Sequence, residues 1–203
     1  MKSKLVAGVG INDAPYSTIL GYDKNGKQIR CPYYMRWKSL LQRCYLPSSW
    51  VQTNKRGYLK NAQYEKCTVV EEWHVFSNFK SWMEKQDWEG NQLDKDILVP
   101  GNTVYGPETC MFVPPYINGM LIDQKRGKYS QGVRFDKRAN LFLISVTING
   151  KKTSRGCWKT EQEASIEFKK FRYNQICSVA DSLDNTKLKT ALYRYAKINY
   201  DFT

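Results

Sequence analysis

Residues 131–172 limit the possible folds more than any other stretch. Asn149-Gly150 lies between Leu141–Ile148, a run of β-branched and aromatic residues, and Lys151–Trp158, a second β-rich run. Asn-Gly between two such runs is a strong hairpin signal, because both central residues of a type I′ turn need positive φ. Val133 and Phe135 begin a third, shorter strand ahead of the hairpin. Behind it, Thr160 and Glu163 have the spacing of a capping box, in which each side chain bonds the other's backbone amide. Ala164, Phe168 and Phe171 then recur at i, i+4 and i+7, one apolar stripe of a helix. The segment therefore reads as three antiparallel strands with one helix packed across them.

Side chains alternate along a strand, so Phe142, Ile144 and Val146 are expected to face the helix, while Leu143, Ser145 and Thr147 face outward. Arg134, Lys137, Arg138, Lys151 and Lys152 add charge to the outer surface. A basic, hydroxyl-bearing sheet face suits the major groove of DNA, which admits a narrow β-ribbon. The charge is local: within a net +13, residues 124–173 hold 13 Lys and Arg against Asp136, Glu161, Glu163 and Glu167. A concentrated basic surface attracts phosphate and steers association with nucleic acid. The competing reading is a solvated α+β unit whose charge serves solubility.

The run Gly132-Val133-Arg134, the Ile148-Asn149-Gly150-Lys151 turn, Gly156 with Trp158, Thr160 and Glu163-Ala164 resembles the AP2-type DNA-binding domain of plant regulators, integrases and phage endonucleases. That family reads DNA with the face of a three-stranded sheet. By position, the resemblance implies DNA contacts from Arg134, Arg138, Ser145, Thr147, Lys152 and Ser154. Lys137, Lys151 and Arg155 complete the basic set offered to DNA, although the family often has a large apolar residue where this chain has Arg155.

The first half of the chain begins with turn chemistry, including Gly8, Gly10, Pro15 and Asn25-Gly26, the last closing a hairpin over residues 19–29. Pro32 opens a helix with the stripe Trp37, Leu40, Leu41 and Cys44. Residues 46–63 read as a basic loop, and residues 71–85 as a second helix with Val75, Phe76, Phe79, Trp82 and Met83 on its apolar face. The one histidine, His74, lies on that helix beside Trp73 and reads as structural. The six cysteines form no Cys-x-x-Cys pair, so reduced thiols are expected; a zinc site from Cys31, Cys44, Cys67 and Cys110 has no ligand spacing behind it. With no apolar run of spanning length and no signal-like start, the expected location is the cytoplasm, away from any membrane.

Residues 93–118 carry Asp94-Lys95-Asp96, Gly101-Asn102, Pro107-Glu108-Thr109-Cys110 and Asn118. This order is similar to the ββα-metal core of HNH endonucleases of phage and intron origin. The resemblance implies that Asp94, Asp96 and Asn118 could gather a Mg²⁺. It also places Lys95 where the family has the histidine that activates water, and Thr109 where it usually has asparagine. The reaction needs a base that is neutral near pH 7 and a divalent metal at the leaving oxygen. A lysine is ordinarily protonated there, so Lys95 reads as an inactive stand-in and no cofactor is required.

The expected fold is α+β: an N-terminal region over residues 1–122 with the HNH-like core at about 64–122, then the AP2-like unit and a C-terminal helix over 123–203. A charged, glycine-containing join at 119–130 links them. The chain thus resembles phage proteins of the HNH/AP2 homing-endonuclease type. The expected function is sequence-selective binding of double-stranded DNA by a catalytically impaired descendant. An active Mg²⁺-dependent nickase, and a phage effector that binds a host protein or RNA in the host cytoplasm, are the alternatives.

Overall fold

The computed structural model describes residues 5–46, 64–121, 127–148 and 151–201. The Asn149-Gly150 turn and nearly all of the basic loop fall outside those residues. The fold is mixed α and β, in two compact units, Met1–Pro114 and Pro115–Thr203. Among the described residues no helix is long and apolar enough to cross a membrane.

The first unit opens with the antiparallel pair β1 (Ile19–Tyr22) and β2 (Gln28–Arg30). Asp23 forms their turn, its carboxylate accepting from the amides of Asn25 and Lys27 at 2.8 and 2.9 Å. Helix α1 (Pro32–Tyr45) starts on its proline, and Trp37, Leu40, Leu41 and Cys44 are buried as the stripe requires. The second helix is not continuous. Glu71–His74 is a single 3₁₀ stretch, Val75 is extended, and α2 (Phe76–Met83) starts after it. The cause is tertiary: Ile11 pairs beside Val75, donating its amide to His74 at 2.8 Å and accepting from Phe76 at 3.0 Å. Those bonds take the place of helical ones at the break, so pairing with a distant segment overrides periodicity. Trp37 ties the pieces together, its indole N–H donating to the Trp73 carbonyl at 2.7 Å. The rest of the unit is built on short strands. β3 (Thr68–Val69) pairs in parallel with β5 (Val104–Tyr105), and β4 (Gln92–Asp94) pairs antiparallel with β6 (Met111–Val113).

The second unit begins with α3 (Pro115–Leu121). Its last carbonyls are capped from within the unit, Met120 by the Arg172 guanidinium and Leu121 by the Tyr195 hydroxyl at 2.7 Å. Strands β7 (Val133–Asp136), β8 (Leu141–Ile148) and β9 (Lys151–Trp158) form one antiparallel sheet in the order β7-β8-β9. Helix α4 (Glu161–Asp181) packs on all three strands and on α5 (Thr186–Tyr200). The Thr160–Glu163 capping box is present, worth about 1 kcal/mol. The break at 181–185 ends in Asn185, which caps α5 by accepting from the Leu188 amide. Ile144, Val146, Ala164, Phe168, Ile176, Leu188 and Leu192 are all buried. Each large apolar side chain so placed stabilises the unit by roughly 1.5–3 kcal/mol.

The hairpin contains a bulge. Phe142 pairs with Trp158 and Ile144 with Arg155, so Gly156 and Cys157 together stand opposite Leu143. Gly156 has φ +61°, and a Cβ there would lie 2.2 Å from the Trp158 ring. Position 156 therefore admits only glycine, and the extra residue resets the alternation beyond it.

Gly132, at the entrance to β7, is under the same constraint: φ is +73° and a Cβ would lie 2.0 Å from the Phe168 ring. Gly132→Ala is expected to destabilise the unit by about 2–4 kcal/mol, through left-handed strain plus overpacking. Gly119→Ala in α3, where a Cβ meets nothing within 4 Å, should be neutral or stabilising by up to about 1 kcal/mol. Urea unfolding of the two variants measures the contrast.

Candidate functional site

The alternation of β8 sorts the side chains of the second unit. Ile144 and Val146 are buried on the side that α4 covers, and Phe142 packs against Phe135 and Tyr129 with ring centroids 4.9 and 5.5 Å away. The register then pairs Arg134 with Leu143, Ser145 with Ser154, and Thr147 with Lys152 on the opposite side. On that face the Arg134 guanidinium reaches across β8 and donates to the Ser154 hydroxyl at 2.9 Å. The arginine is therefore held over the sheet. Arg134, Thr147, Lys152 and Ser154 are exposed and Ser145 is half-buried. Lys137 and Arg138 sit in the turn after β7, also exposed, where Asp136 accepts from the Arg138 and Ala139 amides at 2.9 and 3.3 Å.

The remaining two residues of the expected DNA-contacting set do not share that face. Arg155 pairs with Ile144, and its guanidinium lies 5.4 Å from the centre of the Phe171 ring on α4. Lys151, four positions earlier, alternates to the same helix side as Arg155. The pairing runs without a break from Ile148 with Lys151 to Ile144 with Arg155, so plain alternation along β9 separates Lys151 and Arg155 from Lys152 and Ser154.

The four acids of the basic segment are engaged in local structure. Asp136 holds the β7–β8 turn. The Glu161 carboxylate accepts from the amide and the hydroxyl of Ser130, both at 2.7 Å. Glu163 completes the capping box, and Glu167 pairs with Lys170 at 2.8 Å. None of them forms an ion pair with Arg134 or Lys152 among the described residues.

In the first unit, residues 95–110 connect β4 to β6 and include the short strand β5. Asp94 opens this connection, one carboxylate oxygen accepting from the amides of Asp96 and Ile97 at 2.8 and 2.7 Å. Burial pushes the Asp94 carboxyl above its usual range, against the lowering effect of those two amides. Lys95 is 8% exposed, and its ammonium donates to both Asp96 oxygens at 2.6 and 2.8 Å and to the Asn102 carbonyl at 2.8 Å. An ammonium has three protons, and these bonds engage all of them. Asn102 in turn donates to the Lys95 and Val104 carbonyls at 3.0 and 2.6 Å, closing the base of the loop. Thr109 donates to the Val104 carbonyl at 2.8 Å. Beside it, burial pushes the Cys110 thiol up to about 11.

Asp96 is taken up by Lys95 and one Asp94 oxygen is held by two amides, so neither carboxylate is fully open to a cation; Asn118 lies on α3. Among the described residues no three His, Cys, Asp or Glu side chains converge as a metal site. Cys31, Cys44, Cys67 and Cys110 are buried thiols, none of them in a disulfide among the described residues, in the apolar core of the first unit. His74 shares a hydrogen bond of 3.1 Å with the Tyr45 hydroxyl, which also accepts from the Val69 amide at 2.9 Å. The histidine therefore joins α1 to the segment that follows β3.

Comparison with protein-family models, curated proteins and solved structures found no match to this chain.

A carboxyl whose folded pKa is raised stabilises the fold less as pH climbs from its unfolded value through its folded one. Asp94→Asn keeps the oxygen that accepts from Asp96 and Ile97 and removes the buried charge. It should raise stability at pH 7, with the gain vanishing below about pH 4, where the carboxyl is protonated in both states. Asp94→Ala leaves two amides without their acceptor and should cost about 1–3 kcal/mol. Thermal melts of the three proteins across pH 3–7 read both effects.

Proposed function

We propose that this protein binds double-stranded DNA with sequence preference, reading it with the outer face of the β7-β8-β9 sheet. One observation carries the reading: Arg134, Ser145, Thr147, Lys152 and Ser154 share a sheet face that α4 does not cover, while the acids of the same segment are engaged elsewhere. The charge supplies attraction to phosphate, and the positioned guanidinium with its hydroxyl neighbours supplies donors and acceptors for base edges. Lys137 and Arg138 in the adjoining turn add phosphate contacts. The AP2-type resemblance of the segment supports the same assignment, and the order of residues 93–118 supports descent from an HNH homing endonuclease of phage origin, acting in the host cytoplasm.

The 93–118 loop, on this reading, holds a fold without performing cleavage. Lys95 stands at the position of the base, but its ammonium is engaged by Asp96 and Asn102 and has no lone pair with which to take a proton from water.

Selection of bound sequences from a randomised duplex pool tests the reading face. Arg134→Ala should relax preference at one base pair by about 1–3 kcal/mol. Lys169→Ala, an exposed change on α4, should leave the preference unchanged. Equal loss on every sequence from both variants would mean that the sheet does not read bases.

Supercoiled plasmid incubated with the protein and Mg²⁺ or Mn²⁺ should stay intact, and Lys95→His is the single change best placed to restore nicking. Nicking by the wild-type protein that disappears in Asp94→Ala would establish an active endonuclease instead.

A further inference from the structure

The first unit carries a second surface with the chemistry of a nucleic-acid contact, the β1–β2 hairpin. Nothing in the described residues packs it into a core. Leu20 is 58% exposed, Tyr22 64% and Ile29 49%, and no residue of either strand belongs to the buried cluster of the unit. Tyr22 pairs with Gln28, so these two side chains and Arg30, two residues further on, share one face. On that face Gln28 fixes the arginine, its side-chain oxygen accepting from Arg30 Nε at 3.0 Å and also from Nη2.

The tip is basic. Lys24 and Lys27 are exposed, and the acid between the strands, Asp23, accepts from the Asn25 and Lys27 amides. Among the described residues no carboxylate lies within ion-pair distance of Lys24, Lys27 or Arg30. Among the described residues the hairpin is thus an uncovered two-stranded ribbon with three cations lacking an acidic partner, and a large aromatic ring on the same face as a positioned guanidinium. A ribbon of this width fits the major groove of B-DNA, the cations suit flanking phosphates, and the tyrosine suits apolar contact with base or sugar. A second copy of the hairpin fits less well, because its own cations would face these.

We infer that the β1–β2 hairpin is a second contact with duplex DNA, with Lys24, Lys27 and Arg30 on phosphates and Tyr22 in the groove. The inference rests on the reading that this chain binds duplex DNA. It adds that both units engage the duplex. A chain held at two points gains affinity through effective concentration without any improvement at either contact.

Fluorescence anisotropy with a labelled duplex, across a series of salt concentrations, tests this on the full chain. The proteins are the wild type, Lys24→Gln/Lys27→Gln/Arg30→Gln, Tyr22→Ser, and Arg134→Ala as the marker of the sheet. The triple variant should bind about tenfold or more weakly, and its log–log salt slope should shrink by about two to three, each phosphate contact contributing about 0.9. Tyr22→Ser should weaken binding with the slope unchanged, because an apolar contact releases no counterions. All the substituted side chains are exposed or half-buried, so circular dichroism melts of the variants should overlay the wild type. A triple variant with wild-type affinity and slope, while Arg134→Ala still relaxes sequence preference, would overturn the hairpin contact and leave the sheet reading standing. A wild type that binds no duplex at low salt would overturn both. A larger loss on a single-stranded oligonucleotide than on the duplex would overturn the groove assignment.

Discussion

The pairing of β8 with β9 is the constraint on which the second unit depends. β8 has one apolar side and one polar side, and α4 covers the apolar one. Each β9 residue is committed to a face by its partner on β8. The bulge at Gly156-Cys157 fits Trp158 opposite Phe142 while holding Arg155 opposite Ile144. Without the extra residue, the strand would have to choose between burying Trp158 at one end and keeping Lys152 and Ser154 on the polar face at the other. A one-residue slip exchanges the two faces of a strand completely. The bulge absorbs that slip locally, so the aromatic contact and the basic, hydroxyl-bearing face coexist in one eight-residue strand.

A different economy operates in the 95–110 loop. A loop of this length has many backbone amides and carbonyls to satisfy, and here a few side chains meet much of that need: Asp94 for two amides, Asn102 for two carbonyls and the Val104 amide, Thr109 for the Val104 carbonyl, and Lys95 for the Asn102 carbonyl. Lys95 lies at the centre of this network, and removing one partner from a buried charge costs far more than the pair contributes net. The residue is therefore under strong structural demand. The same segment fixes Asp94, whose carboxyl burial holds above its usual range.

Most of the second unit was legible in the sequence because its determinants are local. The capping box, the two-residue alternation of β8, the apolar stripe of α4 and the break at 181–185 each act over a few residues, and each has a direct physical meaning. Legibility failed where a distant partner or an irregularity intervened. The heptad-like run from Glu71 to Lys85 reads as one helix, and no local feature announces that Ile11 will pair beside Val75 and interrupt it. The face of Trp158 depends on how many residues stand opposite Leu143, which strict alternation does not count, whereas Arg155 falls on the helix side by alternation with Ser154. Asn118 follows the loop in sequence, but Arg172 and Tyr195 hold the end of its helix within the second unit. The burial of Lys95 and its three hydrogen bonds had no local signal in the sequence.

Arg155 has one more consequence. β9 lies at the edge of its sheet, eight residues long, with a row of backbone groups turned away from β8. Such an edge is a template for adding strands from other chains, and aggregation begins there in many β proteins. This edge is blunted three times over. It has a bulge that bends it, lysines at its start, and an arginine directed toward the helix side, where an incoming strand would have to bury charge. The sheet can therefore leave one face uncovered by α4 while the β9 edge discourages assembly with further copies of the chain.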